Sequence, residues 1–251
     1  MTRHDTHVDD LGTAGVGVVF TSGSSDLGDA QDRASRDQAY AELAGRLGVR
    51  VALVRQVHGR DVTVVTPERV AAGEGPLVAL PGVEADGLVT AEPGIALAMR
   101  VADCVPVLFA DEQAGVVGAA HAGRAGVEKN VVAAVADELA RLGATALTAW
   151  IGPHICGACY EVPPEMAARF ADATGVAPTT TRWGTTGIDL ETAVERQLEA
   201  VGARVHRHDA CTLTDGALHS YRREGRTSGR QAGLIWLRDG RASFMAPGRS
   251  R

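Results

Sequence analysis

The sequence is poor in cysteine, in excess basic charge and in long apolar runs, and each shortage excludes a class of protein. Four cysteines in 251 residues are too few for a small scaffold held together by disulfides. The longest apolar stretch, residues 94–110, contains Arg100 and Asp103 and therefore does not predict a membrane span. The first ten residues lack the apolar core of a secretory signal, so we expect a cytoplasmic protein without membrane association.

The charge balance is acidic, which disfavours one class of partner. The formal net charge is −6 and the isoelectric point about 5.7, whereas a nucleic-acid-binding surface needs clustered lysine and arginine. Hydrophobic residues make up 45% of the chain and charged residues 22%, a balance typical of a globular protein with a large core. We expect no nucleic-acid partner and a single domain over residues 1–251, flexible at 1–12 and 247–251.

Short apolar runs alternate with helical periodicity, which predicts a mixed α+β fold of layered sheets with flanking helices. Three apolar runs between residues 95 and 120 are divided by A-D-C and D-E-Q, a spacing that favours antiparallel pairs. Strands are expected at 15–20, 50–57, 62–65, 95–100, 105–110, 115–120, 146–151, 232–237 and 242–245. Helices are expected at 30–47, at 127–142 before Gly143, after Pro164 and from the cap Asp189 to Gly202, with residues 68–84 as loop.

Three side chains that can bind a transition metal each stand at the end of an apolar run. They are His58 in Q-V-H-G, Cys104 in A-D-C and His121 in H-A-G, and only the fold can bring them together. Two imidazoles and a thiolate form a three-ligand set for Zn²⁺ that leaves a fourth position for water or substrate, and copper accepts the same set. Structural histidines at strand ends and a small buried cysteine explain the pattern as well, so both interpretations stay open.

Polar residues near these three are candidates for binding substrate or moving a proton. Asp103, beside Cys104, is a candidate for proton transfer, with a turn residue as the alternative. Arg124 is a candidate for anion binding at the start of the next helix, or is simply solvated. Arg222 and Arg230 lie in an arginine-rich segment that suits phosphate or carboxylate groups, although a solvated loop explains it equally well.

Cys156 and Cys159 form a C-x-x-C pair whose role the sequence leaves open. Such a pair serves as a redox couple or as half of a zinc site, and no second C-x-x-C is present to complete a four-thiolate set. We expect both thiols to be buried in the core.

Six ordered sequence blocks together point to a known family. They are R-Q-V-H-G-R-D-V at 55–62, E-A-D-G-L-V-T at 84–90, R-V-A-D-C-V-P-V-L at 100–108, H-A-G-R-A-G at 121–126, I-G-P-H-I-C-G-A-C-Y-E-V at 151–162 and Y-R-R-E-G-R-T-S-G-R at 221–230. Over about residues 15–246 the chain resembles the laccase-domain family, first described as multicopper polyphenol oxidases and now usually as purine nucleoside phosphorylases.

The resemblance implies a catalytic zinc and an activity. His58, Cys104 and His121 match the metal ligands of the family motifs, and Cys104 and His121 are expected to take part in catalysis. The implied reactions are phosphorolysis of adenosine, inosine and S-methyl-5′-thioadenosine, together with adenosine deamination. The implied partners are therefore a small-molecule nucleoside and phosphate, and the implied fold is a single-domain α+β arrangement of layered sheets and helices.

The polar neighbours acquire roles under the same resemblance. Arg124, Arg222 and Arg230 are expected to bind phosphate or ribose. Asp103 is expected to transfer a proton. The sequence predicts no particular oligomeric state and no order of preference among the purine nucleosides.

The chain departs from the family pattern near its start. Many members carry an arginine and an asparagine where this chain has Ser22 and Asp26, and a later Asn-Arg pair corresponds at best to Ser35 and Arg36. If those residues contact substrate in relatives, the altered segment 20–36 changes specificity or activity here.

Three alternative functions accompany this interpretation. A copper-dependent polyphenol oxidase is the older description of the family, but several coppers usually need many histidines and the chain has 8. A hydrolase of a cell-wall precursor would use Cys104 as nucleophile and His121 as base. A zinc-stabilised binding module would keep the metal and the ligand site without turnover.

Overall fold

A computed structural model of the protein describes residues 10–28, 33–71, 75–78, 80 and 82–239. The strands are β1 (Val16–Phe20), β2 (Arg50–Ala52), β3 (Val62–Val64), β4 (Leu77–Val78), β5 (Gly87–Thr90), β6 (Ile95–Val101), β7 (Val105–Asp111), β8 (Val116–Ala122), β9 (Thr148–Ile151), β10 (Thr179–Thr180), β11 (Thr186–Gly187), β12 (Arg204–Arg207) and β13 (Gln231–Leu237). The helices are α1 (Arg33–Leu47), α2 (Pro67–Ala71), α3 (Arg124–Glu128), α4 (Val131–Arg141), α5 (Pro164–Thr174), α6 (Leu190–Ala200) and α7 (Tyr221–Glu224), followed by a 3₁₀ turn at Gly225–Thr227. Within these described ranges, no helix has the length and apolar character needed to cross a membrane.

Two mixed sheets form the centre of the α+β fold. The five-stranded sheet has the order β1-β13-β6-β2-β4. In it, β13 is antiparallel to its neighbours β1 and β6, and β2 is parallel to its neighbours β6 and β4. The six-stranded sheet has the order β12-β9-β7-β8-β5-β3, antiparallel in its centre and parallel at both edges. A separate ribbon pairs β10 with β11.

The alternation of side chains along the central strands produces four layers. Along β7, Val107 and Phe109 pack with helices α3 to α6, whereas Leu108 lies in the core between the two sheets. Along β6, Met99 lies in that same core and Ala98 packs with α1. The order is therefore α1, five-stranded sheet, six-stranded sheet and helices α3 to α6. Full burial of a side chain such as Phe109 or Met99 stabilises the fold by about 1.5–3 kcal/mol.

The chain passes from one sheet to the other between β6 and β7, and this crossing carries two predicted site residues. The spacing of the runs at 95–120 predicts antiparallel pairs, and β6 does not form one with β7 but pairs with β13 and β2. Only β7 and β8 form such a pair, with Pro106 opposite His121. Asp103 turns the chain with a φ of 86°. Cys104 therefore follows a sharp turn and lies beside the end of β8.

Other predicted elements are present with shifted ends. The helix expected at 127–142 is divided into α3 and α4, because Asn130 has a φ of 60° and its side chain accepts a hydrogen bond from the Ala133 N–H. The strand expected at 50–57 ends at Ala52, and the loop expected at 68–84 contains α2 and β4. Strand β12 was not predicted, and the strand expected at 242–245 lies outside the described residues.

Candidate active site

The fold brings His58, Cys104 and His121 into one cluster, although they are distant in sequence. Their potential ligand atoms lie within 4.8 Å of one another. Cys104 Sγ is 3.8 Å from His58 Nε2, and the two imidazoles meet edge to face with centroids 4.7 Å apart. The three residues, hereafter the His-Cys-His cluster, lie at the turn after β2, the start of β7 and the end of β8.

A buried carboxylate orients both histidines. Asp86 is fully buried, and its Oδ1 is 2.7 Å from His121 Nδ1. The backbone N–H groups of Val57, His58 and Gly59 also donate to this carboxylate over 3.1, 3.0 and 2.6 Å. These bonds hold His58 in its left-handed conformation, with a φ of 57°. Since Nδ1 of His121 is occupied by Asp86, Nε2 is the nitrogen left for the cluster.

The electrostatics of the cluster favour a thiolate. Burial raises the pKa of Cys104, but the neighbouring His121 and His58 outweigh it and bring that pKa down to about 6. Burial lowers the pKa of His121, but Cys104 and Asp86 outweigh it and raise that pKa to about 9. In the absence of metal, Cys104 and His121 therefore form a thiolate–imidazolium pair near neutral pH, and the thiolate is the form that binds metal.

The residues present fit a metal ion. One thiolate and two imidazole nitrogens form a set that both Zn²⁺ and copper accept. Gly123 permits this close approach: a Cβ there would lie 2.7 Å from His58 Cδ2 and 2.9 Å from Cys104 Sγ. The set leaves one coordination position for a ligand from the adjoining cavity, which is the arrangement of a catalytic rather than a structural ion.

The cluster opens into a cavity of about 620 Å³. This volume is in the range of sites for small molecules and cofactors. Its walls combine the cluster with arginine and tyrosine side chains. The lining residues are Gly28, Gln56, His58, Arg100, Val101, Ala102, Asp103, Cys104, His121, Tyr160, Tyr221, Arg222, Ser228 and Arg230. Two of the three arginines, Arg222 and Arg230, were predicted from the sequence as anion-binding residues.

Asp103 and Arg222 are joined at one wall of the cavity. The Asp103 carboxylate accepts hydrogen bonds from Thr212 Oγ1 and from the Arg222 backbone N–H, both over 2.6 Å. The Arg222 guanidinium lies 5.1 Å from the centre of the Tyr160 ring and donates to the Glu161 carbonyl over 2.7 Å. This wall therefore joins the turn at Asp103 to the segment that begins α7.

Arg230 and the altered N-terminal segment meet at another part of the cavity wall. Asp26, one of the residues at which the sequence is expected to depart from the family pattern, accepts hydrogen bonds from the backbone N–H groups of Arg230 and Gly28 over 2.9 and 2.8 Å. The Arg230 guanidinium donates to the carbonyls of Ser228 and Gly229 and lies 5.7 Å from the Tyr221 ring centre. Asp26 in the altered segment therefore helps to hold the backbone of Arg230, a residue of the cavity wall.

The structure does not bring Arg124 into the cavity wall. Its guanidinium is paired with Glu128, one turn later in α3, over 2.7 Å and 2.9 Å. Both of these bonds use Nη1, and the charge of Arg124 also acts on Tyr160 in the cavity wall.

Sequence reasoning missed two charged residues of the site, Asp86 and Arg100. Arg100 is 9% exposed, exchanges hydrogen bonds with Gln56 and donates to the Val54 carbonyl over 2.9 Å. Both have a sequence signal: Arg100 interrupts the apolar strand β6, and Asp86 directly precedes the apolar strand β5. A charge in or beside a fully buried strand needs a partner, and this need could have singled out both residues.

Comparison with known proteins matches most of the chain to one protein family. Residues 19–238 match the model of the family described as multi-copper polyphenol oxidoreductase laccase. A purine nucleoside phosphorylase of Streptomyces griseus is 46% identical over 207 residues, covering 81% of this chain and 80% of the relative. A purine nucleoside phosphorylase of Corynebacterium glutamicum is 42% identical over 214 residues, covering 83% of each chain.

Solved structures show the same fold. The crystal structure of YlmD from Geobacillus stearothermophilus matches with a TM-score of 0.78 and 28% identity, covering 95% of this chain and 98% of the other. A Neisseria meningitidis protein matches with a TM-score of 0.78 and 26% identity, covering 94% and 100%. The four-layered arrangement is therefore shared with proteins of known structure.

Proposed function

The chain belongs to the family of multi-copper polyphenol oxidoreductase laccases, and from this premise we propose that it is a zinc-dependent purine nucleoside phosphorylase. The relatives from Streptomyces griseus and Corynebacterium glutamicum that carry this name support the proposal. The observation that carries it is the cavity, where the His-Cys-His cluster faces arginine and tyrosine side chains within about 620 Å³. A phosphorylase must hold an anion, an aromatic base and a sugar in one such space.

The phosphate is proposed to bind among the arginines of the cavity. Arg222 and Arg230 line it from the segment around α7, and Arg100 lines it from β6. Guanidinium groups pair with phosphate through two parallel hydrogen bonds, which fixes its orientation as well as its charge. Arg124 remains a proposed phosphate ligand, and in this structure its Nη1 is paired with Glu128.

The nucleoside is proposed to bind beside the two tyrosines. Tyr160 and Tyr221 line the same cavity, and aromatic rings stack on purine bases. We propose adenosine, inosine and S-methyl-5′-thioadenosine as substrates, because each presents a purine and a ribose whose glycosidic bond phosphate can attack. Such attack releases the base and a pentose 1-phosphate.

Each residue of the cluster has a proposed part in this reaction. His58, Cys104 and His121 would hold Zn²⁺, which when bound supplies Lewis-acid stabilisation of developing negative charge. Asp86 fixes the orientation of His121 through Nδ1. Asp103, in the cavity wall, is the proposed group for proton transfer, and Thr212 holds its carboxylate in place.

Adenosine deamination is a further proposed activity of the same cavity. It replaces the amino group at C6 of the purine by oxygen from water, without phosphate. The two reactions need the same base-binding residues and differ in whether phosphate is bound. We propose that both take place in the cytoplasm, where nucleosides and phosphate meet.

A hydrolase that uses Cys104 as nucleophile is a second candidate, favoured by the low pKa of that thiol, about 6, beside His121. The two functions make opposite demands on the sulfur. A zinc-dependent phosphorylase needs Cys104 as a metal ligand, whereas a thiol hydrolase needs it free.

Product analysis with metal-quantified protein tests the proposal. We expect adenine or hypoxanthine to form from adenosine or inosine only when phosphate is present, with inosine formed from adenosine in its absence. Arg222→Ala and Arg230→Ala should raise the KM for phosphate, whereas Arg141→Ala, outside the cavity on α4, should not. The proposal is wrong if zinc-loaded protein releases no base, or if metal-free protein is the active form and alkylation of Cys104 abolishes it.

A further inference from the structure

A second group of metal-binding side chains lies outside the site described above. Cys156 and Cys159, in the turn after β9, meet Cys211, which follows β12. Their sulfur atoms lie within 4.8 Å of one another. Cys159 is fully buried, and Cys156 and Cys211 are half-buried. We propose that these three thiols, hereafter the three-cysteine cluster, bind one thiophilic divalent cation such as Zn²⁺.

The distances suit a single ion. Zinc binds a thiolate sulfur at about 2.3 Å, so a tetrahedral ion places its sulfur ligands roughly 3.8 Å apart. The thiols therefore need to move by only a fraction of an ångström each. No further His, Cys, Asp or Glu of the described residues joins this group, so the fourth position goes to water or to a small external thiol.

The backbone around Cys211 is already arranged as it would be around a bound thiolate. The Cys156 N–H donates to Cys211 Sγ over 3.4 Å. The segment that carries Cys211 is held beside Cys156 by two backbone bonds of His154, whose N–H donates to the Ala210 carbonyl and whose carbonyl accepts from Thr212. Within the C-x-x-C turn, the Cys159 N–H donates to the Cys156 carbonyl over 2.9 Å.

The charge distribution also favours a cation. Burial raises the pKa of Cys211, but the Cys156 N–H and other amides outweigh it and lower that pKa to about 7. Burial and the neighbouring Cys211 raise the pKa values of Cys156 and Cys159, although Cys156 acts to lower that of Cys159. Three thiolates around one divalent cation would together carry one net negative charge. Arg182, whose charge acts on Cys159, offsets part of the resulting negative charge.

The position of this cluster connects it to the proposed active site. Tyr160 follows Cys159 directly and lines the cavity, and Thr212 follows Cys211 directly and donates to Asp103. A cation bound by the three thiols would link the segment that carries Tyr160 to the segment that carries Thr212. The proposed role is therefore to hold the cavity wall in place, independently of which reaction the cavity performs.

Cadmium titration of the reduced full-length protein tests the inference, with thiolate-to-cadmium charge-transfer absorbance as the readout. The Cys104→Ser variant removes the only thiol of the His-Cys-His cluster, so any such absorbance must come from Cys156, Cys159 or Cys211. We expect this variant to show the absorbance at one cadmium per chain and to bind Zn²⁺ in competition with it. Zn²⁺ should also raise its Tm.

Two double variants assign the signal to the three thiols. Adding Cys211→Ser or Cys156→Ser to Cys104→Ser should weaken the remaining cadmium binding at least about tenfold, and circular dichroism identifies whichever variant remains folded. Adding Ser228→Ala instead is the matched control and should leave the binding unchanged. The inference is overturned if reduced Cys104→Ser shows no charge-transfer absorbance, as for cysteines that serve only to form a disulfide. It is also overturned if both double variants bind cadmium as tightly as Cys104→Ser.

Discussion

Replacing Asp86 by asparagine should weaken metal binding at the His-Cys-His cluster while leaving every metal ligand in place. Asp86 does not line the cavity, yet its carboxylate accepts hydrogen bonds from three backbone N–H groups and is 2.7 Å from His121 Nδ1. Asparagine preserves the shape but removes the charge. The pKa of His121 should fall as a result, because Asp86 is one of the groups that raise it.

The expected magnitudes follow from these contacts. Loss of the group that orients a metal-binding histidine typically weakens metal binding about 10- to 100-fold, which corresponds to about 1.4–2.8 kcal/mol. The amide NH₂ of asparagine cannot accept a hydrogen bond, so at least one buried N–H donor loses its partner. One such loss costs about 1–3 kcal/mol of the free energy of unfolding. Chelator competition measures the first effect, and urea unfolding of metal-free protein measures the second.

Asp111 offers a matched control for this experiment. It is also a buried carboxylate, 2% exposed, and it accepts from four backbone N–H groups, those of Gln113, Ala114, Thr145 and Ala146. Asp111→Asn should lower stability by a similar amount without changing metal affinity. Equal metal affinity in Asp86→Asn and the wild type, or equal weakening in both variants, would refute the reasoning.

Three further predictions follow from the site and its surroundings. Gly123→Ala should weaken metal binding at least about tenfold in a chelator-competition assay, because the new Cβ would lie 2.9 Å from Cys104 Sγ. Gly45→Ala is the control, since its Cβ would have no atom within 4 Å, and it should leave metal binding unchanged. Equal effects of the two variants would contradict the account. In metal-free protein the rate of Cys104 alkylation should rise with pH around a midpoint near 6, since the thiolate is the reactive form, and a midpoint near 9 in mass-spectrometric assays would exclude the thiolate–imidazolium pair. Burial lowers the pKa of His154, but Glu191, 3.5 Å away, raises it above 6.5; Glu191→Gln should therefore lower it in an NMR titration, and an unchanged value would contradict this assignment.

The sequence predicted the main elements of the fold but not how they are joined. Apolar runs reveal strands because side chains alternate along them, yet the runs ending at Val101 and beginning at Val105 look like a hairpin and belong to different sheets. A three-residue break is compatible with either connection, and only packing of the two sheets decides between them. The separate helices α3 and α4 depend on one left-handed residue, Asn130, which helical periodicity does not reveal.

The site divides along a similar line. His58, Cys104 and His121 could be named because few side chains bind transition metals, although their proximity could not be worked out from spacing. Asp86 is harder to name, since an acidic residue before a strand is common, and only the fold shows the four donors that surround this one. The C-x-x-C pair was incomplete for the same reason, because Cys211 reaches it only through the fold.

Hypoxanthine formation from inosine by protein of known metal content tests the central claim most directly. The account predicts hypoxanthine only when both zinc at the His-Cys-His cluster and phosphate are present, and none from Cys104→Ser under the same conditions. Zinc-loaded protein that releases no base, or that releases it equally without phosphate, would contradict the claim. If copper-loaded protein instead oxidised phenols and released no base, the cavity would be the site of the polyphenol oxidase activity that the family description names.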